Sequence, residues 1–111
     1  MTNSQTVQLF NGQAADTVGT ETGFEIPFSS ERCDIEVSGD FGSGGTVTIE
    51  RLSNDGSTWV AERDLSRVVV SVTTKEIIPF ELPYNVTLRA QLSGSTSPDL
   101  NVWVNLIRHG K

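Results

Sequence analysis

The side chains able to do acid–base, nucleophilic or metal chemistry are few and scattered along this chain. There is one histidine, His109, and one cysteine, Cys33, in 111 residues. A zinc site needs several His or Cys ligands, and a Ser-His-Asp triad needs an ordered histidine. His109 lies beside the terminal Gly110-Lys111 and reads as a solvated side chain. Cys33 alternates with Ile35 and Val37, which makes it a small buried hydrophobe. A reactive thiol would want a cationic neighbourhood, and only Arg32 offers one in sequence. The fourteen acids would allow a glycosidase-like carboxylate pair, but most fall on the polar phase of alternating runs, where a charge is simply hydrated. Calcium would have Asp40, Asp55 and Asp99 if their turns met at one end of the molecule; no EF-hand or GGxGxD spacing accompanies them. The run GDFGSGG over 39–45 lacks the Lys-Ser/Thr ending of a phosphate loop and precedes a strand, where such a loop requires a helix. Asn85-Val86-Thr87 matches a glycosylation triplet, but it falls at a strand start. The expectation is a non-enzymatic protein with no cofactor and no metal.

Charge narrows the partners. The net charge is −6. Up to Glu50 there are eight acids against one Arg, a net of −7; from Arg51 onward seven Lys/Arg meet six acids, a net of +1. Nucleic acid is excluded as the main partner, because phosphate neutralisation needs clustered Lys/Arg. An acidic face suits a basic protein surface or solvent alone. No stretch approaches the roughly 18 apolar residues of a membrane helix. The opening MTNSQTVQLF lacks the basic and apolar regions of a secretory signal, so synthesis in the cytoplasm is expected.

The elements that would position any site are strands. The most informative stretch is 44–62, GGTVTIERLSNDGSTWVAE. Thr46–Leu52 alternates polar and apolar residues, 53–57 is turn chemistry, and Trp59 begins the return. Asp55 and Gly56 form the structural turn: the Asp accepts turn amides and the Gly tolerates φ > 0. Trp59 follows at a place where its ring would cap a sandwich core. SNDGSTW is similar to the Asp-box hairpin, S-x-D-x-G-x-T-W, with one residue missing; a single copy implies a turn, not a propeller. Further runs place Cys33, Ile35 and Val37 on one face. Val68, Val70 and Val72 share another, as do Ile78, Phe80 and Leu82. Val86, Leu88, Ala90 and Leu92 form a fourth face, and Leu100, Val102, Val104 and Leu106 a fifth. Pro27 and Pro79 point to edge strands or bulges. Asn11-Gly12 signals a turn. Eight or nine short strands, with turn signals every 8–12 residues, imply a single antiparallel β-sandwich with jelly-roll or related Greek-key wiring.

Two segments are candidates for interaction. If the last strand faces the core with Leu100 to Leu106, Trp103 and Ile107 point outward between Asn101 and Asn105. Trp103 would then be an interface residue, a sugar platform, or a ring covered by the chain's own N-terminus. Residues 1–23 lack a clear period. They read either as an arm that docks on a neighbour through Val7, Leu9 and Phe10, or as an ordinary first strand. The sandwich proper is expected over 24–111.

With this pattern laid out, the chain resembles a class of small all-β phage virion proteins over roughly 35–107. The likeness is carried by EVSGDFGSGGTVTIERLSNDGSTWV, by ELPYNVTLRAQLSGSTSPDLNVWVNL and by the even strand spacing between them. The resemblance implies a structural virion protein, with capsid decoration or cement as its sharpest form. Tail and head–tail accessory roles are alternatives, and a carbohydrate-binding sandwich is a further one. It implies partners among the major capsid protein or neck and tail subunits, and a homo-oligomer such as a trimer. A separate capsid-anchoring domain does not fit in the short N-terminus.

Overall fold

The computed structural model describes residues 2–17, 23–26, 30–82 and 86–109, with side chains at 6–17, 23–26, 33–79 and 86–106. Among the described residues nine strands follow in order: β1 (Thr2–Gln13), β2 (Phe24–Glu25), β3 (Ser30–Asp40), β4 (Thr46–Leu52), β5 (Trp59–Ala61), β6 (Ser71–Val72), β7 (Glu76–Leu82), β8 (Thr87–Ser93) and β9 (Asp99–His109). One sheet, A, has the order β1-β9-β3-β7; the other, B, has β2-β8-β4-β5, with β6 also paired to β4. All pairings are antiparallel.

The wiring is a nested hairpin rolled up. β1 pairs β9, β2 pairs β8, β3 pairs β7, and β4 pairs β5 and β6. Successive pairs alternate between the sheets, and the contacts β3·β9 and β4·β8 close the roll. This is a jelly roll, the architecture expected from the alternating runs.

Alternation decides the core. Ile35 and Val37 of β3, Val47 and Ile49 of β4, and the even-numbered apolar residues of β8 and β9 are all buried between the sheets. At about 25 cal/mol per Å2 of apolar surface removed from water, this interleaved set is the main stabilising term.

The N-terminal segment belongs to this core. β1 runs along β9 from Thr2↔His109 to Gln13↔Leu100, and Leu9 and Phe10 are buried inside. Val7 packs partly buried against the same cluster. The reading of Val7, Leu9 and Phe10 as anchors on a neighbour is therefore corrected: their apolar surface is already used within the chain, and the first-strand alternative is the one realised. A boundary at residue 23 cuts β1 from its own sheet. Asn11-Gly12 is not a hairpin turn either. Gly12 has φ +66, and the register shifts around Phe10 make this a bulged end of β1.

Beyond β1 the chain crosses to sheet B by clasping β8. Thr17 N–H donates to the Leu92 carbonyl (2.9 Å), and Leu92 N–H donates to Thr17 Oγ1 (3.0 Å). The glycine-rich turn makes a later crossing, from β3 in sheet A to β4 in sheet B. Gly42 has φ +67, and a Cβ there would lie 2.0 Å from the Thr96 carbonyl oxygen, so only glycine lets the two turns touch. Val68 departs from its expected inward place. Arg67 has φ 65 and only an isolated Arg63↔Val69 bridge forms here, so the chain loops until β6 and leaves Val68 exposed. Pro27 and Asn85 lie outside the described residues; Val86 of the same triplet is buried and Thr87 opens β8.

Candidate functional site

The outer face of sheet A holds the first candidate. Antiparallel register lines up four side chains across the sheet: Gln8 of β1, Trp103 of β9, Glu36 of β3 and Ile77 of β7. Trp103 is half-buried on this face, and Ile77 is 61% exposed. The next row carries a polar chain. Thr6 Oγ1 donates to Asn105 Oδ1 (3.1 Å), and Asn105 Nδ2 donates to Asp34 Oδ1 (2.6 Å). Asn101 Oδ1 accepts from Gly12 N–H (3.0 Å). Both asparagines flanking Trp103 thus already serve their own sheet. The side chain of Ile107 lies outside the described residues, so the Trp103/Ile107 pairing reduces to Trp103.

The outer face of sheet B holds the other tryptophan. Trp59 opens β5 opposite Leu52, and its ring is half-buried on the outside of the sheet. The Arg89 guanidinium stacks 4.1 Å from the ring centroid. Arg89 Nε also donates to Glu50 Oε1 at 2.7 Å. Trp59 therefore does not cap the core. It covers an ion pair on the opposite side of the sheet, where aromatic and guanidinium planes attract. Nothing in sequence pointed to Arg89, because its partners lie 39 and 30 positions away in chain order.

The β4–β5 turn is organised by Asp55. Its carboxylate accepts from Thr58 Oγ1 (2.6 Å), Ser57 N–H (2.8 Å) and Thr58 N–H (2.9 Å). These donors, the Thr58 hydroxyl foremost, hold the Asp55 pKa down at about 2. Gly56 has φ +79 with open space where a Cβ would stand. The Asp55 carboxylate is thus used within its own turn.

The supposed calcium acids do not converge. Asp40 and Asp99 face each other in register where β3 leaves sheet A, but Asp55 lies beyond the far end of β4. Asp40 accepts from Gly42 N–H (2.8 Å). Asp16, in the same end region, accepts from Ser95 Oγ, Ser95 N–H and Gly94 N–H, which lower its pKa. Among the described residues no three His, Cys, Asp or Glu side chains gather as a metal site. Cys33 is buried, and His109's side chain lies outside the described residues.

One surface escaped the sequence reading. Leu65, Val68 and Ile77, all more than half exposed, line one cleft of about 410 Å3 between the 64–71 segment and β7. Their separation in sequence hid the cluster. The signal available was Pro79, which marks β7 as an edge.

No family model and no curated protein matches this chain. Among solved structures, the crystal structure of the SPBc2 prophage-derived protein YomS is similar, with a TM-score of 0.66 over 97% of this chain and 96% of that one, at 13% identity. At that identity the likeness is one of fold. Among the described residues no helix is long and apolar enough to cross a membrane.

Proposed function

We propose that this chain is a non-enzymatic structural protein of a phage particle that binds other virion subunits, with capsid decoration or cement as its specific role. The observation that carries this reading is the match in fold, along nearly the whole of both chains, to a prophage-derived protein. Its residues are compatible with the role. Asp16, Asp34, Asp40, Glu50 and Asp55 are engaged in turns and sheet rows, while apolar groups stand exposed on the outer face of sheet A and beside β7. Such a protein reinforces a shell by burying area at seams between subunits, without bond chemistry. The partners are the major capsid protein or neck and tail subunits, and a ring such as a homotrimer fits a symmetric shell. Carbohydrate binding is the weaker reading, because Asn101 and Asn105 are engaged within the sheet.

The test is mass spectrometry of purified particles of the encoding phage, followed by imaging of those particles. The expected result is the protein at stoichiometric copy number on the capsid shell. Detection only at the neck or tail replaces decoration with an accessory role, and absence from particles overturns the virion reading.

A further inference from the structure

We infer that the cleft between β7 and the 64–71 segment receives an extended, basic segment of a different protein, added beside β7. This deepens the proposed function by naming a surface and the chemistry of what binds it, and it rests on that reading only for the source of the segment.

Three observations converge. β7 is the terminal strand of sheet A, with β3 as its neighbour among the described residues, so one row of its backbone groups faces outward. An edge of this kind templates another strand. Pro79 has no N–H to offer, which keeps the free ladder short and leaves much of the recognition to side chains. Those side chains are apolar: Leu65, Val68 and Ile77 are 56%, 59% and 61% exposed, and all three line the one cleft. Water-exposed branched side chains gathered in this way mark an interaction surface.

Charge selects the occupant. The charged side chains lining the cleft are Asp64 and Glu76, both acids. Glu36 stands directly beside Ile77 in register, and Asp34 beside Pro79. Arg63, Arg67 and Lys75 are near in sequence but do not line it, and Arg63 Nη1 is turned to the Arg67 carbonyl (2.9 Å). Asp64 Oδ1 accepts from Ser66 N–H and Val68 N–H, which with the Asp64 N–H bond to the Val68 carbonyl closes the tight turn that carries Val68. A second copy of this chain, itself at −6, would bring acid against acid. A strand with apolar residues on one phase and Lys or Arg on the other satisfies both the anchors and the rim.

The test uses the isolated chain, labelled for amide NMR, and two peptides of about eight residues: one alternating Val and Lys, the other alternating Val and Glu. The Val-Lys peptide is expected to shift the amides of Val68, Glu76 and Ile77, with the Val-Glu peptide about tenfold weaker or worse. Ile77→Lys combined with Val68→Asp should abolish the shifts while leaving the β8 and β9 amides in place, since both positions are solvent-exposed. Equal binding of the two peptides, shifts confined to Gln8, Glu36 and Trp103, or no binding would each overturn the proposal. So would self-association by sedimentation that the double variant removes, which would make the occupant a second copy. These outcomes are read without particles, so they stand apart from the presence or absence of the protein in virions.

Discussion

The two tryptophans stand on opposite outer faces of the same sandwich, and the chain uses them differently. Trp59 has a cation of its own: Arg89 lies over its ring and is in turn bonded to Glu50. Trp103 sits between a neutral amide and a carboxylate, Gln8 and Glu36, in a row that ends at exposed Ile77. An outward tryptophan is therefore not by itself a recognition residue. What matters is whether the chain has already supplied its partner. By that criterion Trp59 is already matched within sheet B, while Trp103 shares its row with Gln8, Glu36 and the exposed Ile77.

The comparison predicts an order of effects. The largest belongs to neither face but to the core both share. Phe10→Ala should cost about 3–5 kcal/mol in denaturant melts, and deletion of residues 1–10 should unfold the domain. A deletion that leaves the melt unchanged would return β1 to the role of a detachable arm. Next is Arg89→Ala, which leaves the Glu50 carboxylate without its close partner and uncovers the Trp59 ring. A loss of about 2 kcal/mol is expected, reduced from fully buried values because Glu50 is partly exposed. Trp59→Ala should cost about 1–2 kcal/mol, and a double-mutant cycle with Arg89 should show the two losses to be non-additive. Additive losses would break the contrast. Trp103→Ala should change the isolated chain's stability by about 0.5 kcal/mol or less and act instead on binding to particles. A large loss in the isolated chain would place Trp103 with Trp59.

The smallest effect is a pH dependence in the β4–β5 turn. Asp55 has a folded pKa of about 2, below its ordinary 3.8. A carboxylate depressed by folding adds stability that is present above its unfolded pKa and is lost as pH falls through the folded one. The turn should therefore weaken between pH 3.8 and about 2, visible as lower exchange protection of the Ser57 and Thr58 amides relative to their intrinsic rates at each pH. Asp55→Asn should remove that step and leave the remaining acid transition in place.

The sheets were legible in the sequence wherever a strand was long enough to show its period. The runs through Ile35, Ile49, Leu88 and Val104 alternate over several residues, and each faces the core as read. The misreadings fall where the period is too short or is interrupted. β5 has three residues, and the face of Trp59 was set by pairing with Leu52, which sequence does not display. Val68 followed the parity of Val70 and Val72, but the left-handed backbone at Arg67 broke the phase. β1 carries bulges that scramble its alternation, so its buried Leu9 and Phe10 read as an aperiodic arm. Surfaces were the least visible: Leu65 and Ile77 meet only because the roll brings sheet edges together.

The nested pairing also orders events during synthesis. β9 lies inside sheet A, between β1 and β3, yet it is the last of the nine strands to leave the ribosome. Until it emerges, β1 and β3 have no common neighbour, and Leu9 and Phe10 wait in water while β2 to β8 are made. Sheet B can assemble earlier, since β8 precedes β9. Closing so long a loop is entropically costly, and non-local β pairing of this kind folds slowly. The chain thus passes through a half-built stage in which the apolar residues of β1 lack their partner strand.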